Sequence, residues 1–279
     1  MTTHIIITAG GTSEPIDAVR RISNTSTGSL CACIYDALAD NIGARAESGE
    51  KIPPFQVHYV VSASAVRPQP RENLPVSFYP VTSVASVETA LEDIMAKHRI
   101  SYFIHGMAVS DFTKGYLIGR DTLADELAAA AFGAICCGHA DRESIRAAIS
   151  RVLEHPERSM DSKTKVSSQS ELMLSLVRTQ KIIGKIKRWD PSVFLVGFKL
   201  LKNVTEEELV SVASELAAKN RCDLVLANDA ARISKDRHFG LLVKGGRVVG
   251  RYATKREIAC GIAGQITTSA LQGKEGKTI

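Results

Sequence analysis

The chain has 279 residues, 44% hydrophobic and 23% charged, with a formal net charge of +5. That is enough for a large buried core. Interspersed charges and only 5% aromatics argue against a nucleic-acid surface, which needs a basic stripe with stacking rings. The longest apolar stretch, Leu127–Cys137, is too short to span a membrane, and no basic-then-apolar leader opens the chain, so the expected location is the cytoplasm.

In chain order, strand and helix patterns alternate, as in a parallel sheet covered on both faces. Ile5–Ala9 is a β-branched run that reads as a buried strand, and it ends in Gly10-Gly11-Thr12. The polar segment Ile22-Ser-Asn-Thr-Ser-Thr-Gly28 leads into a helix over Leu30–Asp40, and a loop follows from Asn41 to Pro54. Phe55–Ser62 is the next strand, Pro68–Pro75 a proline-rich loop, Val76–Tyr79 a short extended piece and Val84–Lys97 an amphipathic helix. Tyr102–Val109 is a buried strand ending in Ser110-Asp111-Phe112. Asp121–Phe132 and Asp141–Glu154 read as helices opened by capping aspartates, with Gly133 as the stop of the first and Pro156 ending the second. Ser159–Ser170 reads as a polar loop, Gln180–Trp189 as helix and Val193–Phe198 as strand. Thr205–Lys219 is a helix with a capping box, and Asp223–Ala227 is a strand ending in Asn228-Asp229. Gly240–Lys244 and Arg247–Arg251 flank Gly245-Gly246 as a hairpin, Thr254–Ile266 closes as a helix, and Leu271–Ile279 is expected to fray.

Ligands of open α/β sheets bind beyond the carboxyl ends of the strands. Polar residues recur there: Gly10-Gly11-Thr12, Ser110-Asp111, Phe198-Lys199 and Asn228-Asp229. Glycines let backbone N–H groups approach a phosphate, and a helix starting near Gly28 offers its positive end to an anion. Gly-Gly-Thr could equally be a tight βα turn, Asn24 a loop or cap residue, Asp111 and Asn228-Asp229 turn chemistry, and Lys199 a snorkelling lysine. A hydride-transfer dinucleotide site would need G-x-G-x-x-G after the first strand, and here Pro15 interrupts and the third glycine is missing. An NAD(P)-dependent oxidoreductase is thereby demoted. A phosphate-loop Gly-Lys-Ser/Thr is absent too. The cysteines Cys31, Cys33, Cys136, Cys137, Cys222 and Cys260 contain no C-x-x-C, so neither a zinc site nor a disulfide framework is indicated. His139, close behind Cys137, is the single metal-like hint.

The segments Ile7-Thr-Ala-Gly-Gly-Thr-Ser-Glu-Pro-Ile-Asp-Ala-Val-Arg20 and Ile22–Gly28 closely resemble the opening of the phosphopantothenate–cysteine ligase (phosphopantothenoylcysteine synthetase) family. The likeness continues through His105-Gly-Met-Ala-Val-Ser-Asp-Phe112, Lys165-Val-Ser-Ser168, Val196-Gly-Phe-Lys-Leu-Leu201 and Leu226-Ala-Asn-Asp229, in the family's order. It is most similar to the stand-alone bacterial form. The resemblance implies an α/β fold, a Rossmann-like, doubly wound, mostly parallel sheet with a C-terminal hairpin and an inserted helical, dimerisation segment. It also implies a single ligase domain over residues 1–279 with an insertion or lid at about 113–170.

The implied reaction joins 4′-phosphopantothenate to cysteine through an acyl-cytidylate made from CTP, with Mg²⁺ as the companion ion and a homodimer as the assembly. By resemblance Lys165 serves acyl-nucleotide formation, although on sequence alone it is a solvated loop lysine. Asn24 handles the acyl-cytidylate together with backbone groups near Met107 and Ala108. Gly10, Gly11, Thr12, Asp111, Gln180, Lys181, Ile182, Ile183, Phe198 and Lys219 fall at nucleotide-binding positions. The chain departs from the family pattern at Glu215, where bacterial members often have a second lysine, in the length of Gly115–Ser162, and at Cys31 and Cys33. A nucleotide-sensing module that binds without turnover is the alternative of a different class.

Overall fold

A computed structural model describes residues 2–160 and 171–272. In chain order the elements are β1 (Thr3–Ala9), β2 (Ser13–Pro15), β3 (Arg21–Ser23), α1 (Ser29–Glu47), β4 (Phe55–Ser62), β5 (Val76–Val81), α2 (Val84–Lys97), β6 (Ile100–His105), β7 (Phe112–Gly119), α3 (Arg120–Cys136), α4 (Arg142–Glu154), β8 (Leu172–Arg178), α5 (Ile183–Trp189), β9 (Phe194–Leu201), α6 (Glu206–Asn220), β10 (Leu224–Ile233), β11 (His238–Lys244), β12 (Arg247–Tyr252) and α7 (Lys255–Gln272). They fall into two compact units, one of Met1–Thr12, Asn24–Val109 and Lys181–Ile279, the other of Ser13–Ser23 and Ser110–Gln180.

The first unit is an eight-stranded sheet of order β12-β11-β10-β9-β6-β1-β4-β5. The strands from β5 to β10 run parallel, and β10, β11 and β12 are antiparallel. This is the doubly wound, Rossmann-like sheet with a C-terminal hairpin that the family resemblance implied. The period-two alternation of a strand divides the isoleucines of β1 between two cores. Ile5, Ile7 and Ala9 pack with α1 and α7, and Ile6 packs with α2 and α5. Leu209 and Ala213 of α6 cover Val225 and Ala227 of β10. The hairpin turn has both central glycines in the left-handed region, Gly245 at φ 55° and Gly246 at φ 75°, as a two-residue primed turn demands.

Several boundaries differ from the sequence reading, each for a visible reason. α1 does not stop at Asp40. It runs to Glu47, because Ile42 is buried and Arg45 Nε donates to the Asn41 amide oxygen one turn back at 3.0 Å. β6 ends at His105 rather than Val109, since Met107 and Ala108 turn their N–H groups to Thr8 and Gly10. β10 continues through Asn228-Asp229 to Ile233, because Asn228 still pairs with Gly240 of β11. α5 starts at Ile183 with Ile182 as its N-cap, so Gln180 and Lys181 lie before the helix.

The second unit holds the antiparallel pairs β2–β3 and β7–β8 and the helices α3 and α4. Neither pair was read from sequence. Asp141 caps α4 as expected, accepting from the N–H groups of Glu143 and Ser144. Asp121 does not cap α3; it sits inside the first turn, behind Gly119. Gly133 does not end α3 either. The helix passes through it to Cys136, and Gly138 at φ 81° is the stop, with Gly138 N–H donating to the Ile135 carbonyl at 3.0 Å and His139 N–H to the Ala134 carbonyl at 2.9 Å. That pair of bonds is a Schellman motif, and His139 belongs to it.

Candidate active site

The order of strands reverses between β1 and β6: the chain moves outward from β1 to β4 and β5, then returns to the other side of β1. A crevice beyond the carboxyl ends of these two strands is where an open α/β sheet binds its ligand. The two turns that meet there are Gly10-Gly11-Thr12 and Gly106-Met107-Ala108, joined by a bridge between Gly11 and Ala108. Ala108 N–H donates to the Gly10 carbonyl at 2.8 Å, and Thr12 N–H donates to the Ala108 carbonyl at 3.1 Å.

Asn24 is tied to both turns. Its backbone N–H donates to the Thr12 carbonyl at 2.9 Å, and its side-chain amide donates to the Ala108 carbonyl at 3.0 Å. The glycines are required by this crowding. A Cβ on Gly11 would lie 2.1 Å from the Asn24 carbonyl oxygen, and one on Gly10, already at φ 92°, would lie 2.0 Å from Ser62 Oγ. Ser62 in turn accepts from the Gly11 N–H at 3.2 Å.

A buried polar chain supports the floor of the crevice. The Thr8 hydroxyl accepts from the Met107 N–H at 3.3 Å and reaches His105 Nδ1 at 3.0 Å. Burial holds the His105 imidazole neutral, pushing its pKa down to about 4, so Nδ1 can accept the Thr8 proton. The Cys31 thiol donates to the Thr8 carbonyl at 3.4 Å and fills the space a Cβ on Gly106 would take. Burial raises its pKa to about 12, so Cys31 is packing rather than nucleophile.

Beside the crevice, Gly28 at φ 66° begins α1, and no side chain caps that helix. The first N–H of the helix, that of Ser29, donates to Thr27 Oγ1 at 3.4 Å, and Lys255, from the start of α7, donates to Ser29 Oγ at 2.9 Å. Sequence reasoning missed Lys255. Its signal was a lysine at the first position of a helix, where the macrodipole favours acids.

A family model described as the DNA/pantothenate metabolism flavoprotein C-terminal domain matches residues 1–117 and 137–269. The chain belongs to that family. It is the family to which the ordered motifs pointed, and the unmatched stretch, residues 118–136, coincides with α3. A solved family member, the DNA/pantothenate metabolism flavoprotein from Streptococcus pneumoniae, is 31% identical, covering 96% of this chain and 99% of that one with a TM-score of 0.71. The coenzyme A biosynthesis bifunctional protein CoaBC of Thermococcus kodakarensis is 28% identical over 91% of this chain and 48% of its own length. The chain thus spans about half the length of the curated relatives it matches. The Cab2 mutant H337A in complex with phosphopantothenate-cysteine shares the fold at 14% identity, with a TM-score of 0.62 over 98% of this chain and 89% of that one.

Within this family frame the structure brings Gly10, Gly11, Thr12, Asn24, Met107 and Ala108 together in one place. Phe198, on β9, is half-buried against the core below the same edge, and a Cβ on Gly106 would come within 3.6 Å of its ring. Asp111 and Gln180 belong to the second unit, where Thr179 between β8 and α5 donates from its N–H to the Asp111 carbonyl at 3.0 Å. Ile182 and Ile183 pack into the core under α2, so their side chains are structural, while Lys181 just before them is exposed. Lys219 lies in the last turn of α6, exposed, and leads into the amino-terminal start of β10, at the opposite edge of the sheet from Gly10. Glu215 is exposed one turn earlier on the same helix. Lys165 lies outside the described residues.

Asn228 and Asp229 are explained by the fold alone. Asn228 donates to the Phe239 carbonyl at 3.0 Å, and one Asp229 carboxylate oxygen accepts from the N–H groups of Asn203 and Ala231, both at 2.9 Å. Those backbone bonds, with Ala231 foremost, hold the Asp229 carboxyl below the usual range.

Proposed function

We propose that the chain is a phosphopantothenate–cysteine ligase that works through an acyl-cytidylate. The carboxylate of 4′-phosphopantothenate attacks the α-phosphorus of CTP and pyrophosphate leaves. The amine of cysteine then attacks the activated carbonyl and CMP leaves with the carboxylate oxygen. The observation that carries this reading is Asn24, clamped at the switch point by its own amide bond to Ala108.

An asparagine held at both backbone and side chain is preorganised, and a preorganised donor favours the charge that develops on a carbonyl oxygen in acyl transfer. The uncapped start of α1 and the Lys255 ammonium supply positive potential beside it, suited to the phosphate of phosphopantothenate. The Cab2 complex with phosphopantothenate-cysteine, a protein of the same fold, agrees with that substrate class.

Among the predicted site residues Asp111 is the carboxylate, and Mg²⁺ takes few protein oxygens when nucleotide phosphates supply the rest. Bound there, the ion would neutralise charge on the triphosphate. The described residues of the second unit leave several large apolar side chains exposed, among them Phe112, Phe132 and Met173, which supports a homodimer formed through that unit. No helix of the described residues is long and apolar enough to cross a membrane.

The test is pyrophosphate release by the purified protein with 4′-phosphopantothenate and Mg²⁺, given either CTP or ATP, with and without cysteine. The expected result is release with CTP, and an amide product only when cysteine is present. Folded protein that binds CTP and releases no pyrophosphate would return the reading to a nucleotide-sensing module, and release with ATP alone would overturn the cytidylate.

A further inference from the structure

The amino-terminal edge of the same sheet carries a second set of side chains that the ligase reading does not use. α2 presents an apolar stripe, Val84, Val87, Leu91 and Ile94, to one face of the sheet. The next position of that stripe, one turn on, is His98, the residue that caps the helix. Opposite it on the sheet the apolar layer also gives way to imidazole. His4 precedes Ile6 by two residues on β1, and His58 precedes Val60 by two on β4, so both point to the face that Ile6 and Val60 share with α2.

Three histidines from sequence positions far apart therefore close the bottom of one core layer. Their ring centroids form a triangle with sides of 4.6, 4.6 and 5.3 Å. One nitrogen from each lies within 4.8 Å of the other two.

We propose that His4, His58 and His98 form a binding site for a divalent transition-metal cation of the zinc type. Three imidazoles are a donor set that such ions favour over magnesium or calcium. His4 Nδ1 and His58 Nε2 meet in a hydrogen bond at 3.0 Å, and replacement of its proton by an ion needs only a small separation, to the roughly 3.3 Å between two nitrogens that share a tetrahedral ion at ordinary Zn–N distance. The remaining nitrogen of His58, Nδ1, meets the Tyr79 hydroxyl at 3.0 Å. A partner on the second ring nitrogen orients a metal-bound histidine, here a hydroxyl in place of the commoner carboxylate, carbonyl or water, and it leaves Nε2 as the nitrogen that faces the other rings.

His58 is buried, while His4 and His98 are half-exposed, so the ion has a route in and a side on which water completes the coordination. The site would tie β1 and β4 to the end of α2, at the far edge of the sheet from Gly10 and Asn24.

The experiment uses the full chain, stripped with a chelator and titrated with Zn²⁺ by calorimetry and with Co²⁺ by absorption. The expected result is one ion per chain, cobalt d–d bands without a thiolate charge-transfer band, and a melting temperature raised by about 5 °C at saturating Zn²⁺. Tyr79→Phe should weaken binding about tenfold. His98→Gln and His4→Gln, both at half-exposed positions, should each weaken it more, on the order of 100-fold, while the metal-free variants melt as the parent does. Absence of uptake by the parent chain, a thiolate band that assigns the ion to cysteines, or unchanged affinity in both histidine variants would each overturn the site.

Discussion

The two edges of the central sheet are built on opposite plans. At the carboxyl edge the chain removes side chains: Gly10, Gly11, Gly28 and Gly106 let backbone segments touch, and the polar groups there are mostly N–H and carbonyl. At the amino edge it keeps large side chains and places imidazoles, His4, His58 and His98, where the apolar layer would otherwise end. The first plan gives fixed donors at a helix start, which suits phosphates and acyl oxygens. The second gives nitrogen lone pairs at low charge. One sheet thus offers two kinds of chemistry at its two ends, and the variants below separate them.

The largest effect is expected at Asn24. Asn24→Ala removes the side-chain bond to Ala108 but leaves the backbone bond to Thr12. Pyrophosphate release should persist, while amide formation falls on the order of 10²–10³, the loss usual for one oxyanion donor. Quench-flow measurement of the two half-reactions distinguishes this from equal loss of both, which would remove Asn24 from the second step. Lys165→Ala should show the converse, a block before pyrophosphate is released.

The next effect belongs to the floor of the crevice. The unfolded chain protonates His105 near 6.5 and the folded chain only near 4. Between those values the unfolded state binds more protons, so stability is fully present above pH 6.5 and declines as pH falls toward 4. The buried shift corresponds to about 3 kcal/mol at most. His58, pushed down to about 4 as well, contributes in the same window, so His105→Gln should flatten the decline rather than abolish it. Urea midpoints at pH 7 and pH 5 for the two proteins give the comparison. Equal slopes would show that His105 is not held neutral.

Gly11→Ala should follow, at about 2 kcal/mol of destabilisation, because the new Cβ meets a backbone oxygen that cannot rotate away. Gly133→Ala, in the exposed interior of α3, serves as its opposite: nothing lies within 4 Å of its Cβ, and it should stabilise by roughly 0.5–1 kcal/mol. Thermal melts of the two variants test whether the glycines of the carboxyl edge are held by space or by habit of sequence.

How much of this could be read from the chain follows the same division. The carboxyl edge is carried by three short motifs, Ile5–Thr12, Ile22–Gly28 and His105–Asp111, each with a local signal of its own, so the strand ends and their polar turns were legible in the sequence. The histidines at 4, 58 and 98 are brought together only by register between β1 and β4 and by the length of α2, and no local pattern announces them. Boundaries failed for two reasons: burial of Ile42 in the core carries α1 past Asp40, and at α3 the local Schellman pair at Gly138, not Gly133, sets the end. β7 and β8 escaped because two helices separate the partners, so no hairpin turn marks them. Lys219 shows the reverse limit: resemblance named it, and the topology sets it at the edge away from the crevice.

The smallest effect is the most discriminating one, at Lys255. Its ammonium sits at the first turn of α7 and donates to Ser29 at the first turn of α1, so it opposes the dipoles of two helices. A lysine in that place is unfavourable for folding by a few tenths of a kcal/mol to about 1 kcal/mol, which is a reason to expect that it answers to a ligand. Lys255→Gln should therefore leave the melting temperature unchanged or slightly raised, while KM for 4′-phosphopantothenate rises about tenfold and KM for cysteine stays put. A melting temperature that falls with KM unchanged would make Lys255 a structural tie between α1 and α7, and the start of α1 would then bind its anion with backbone groups alone.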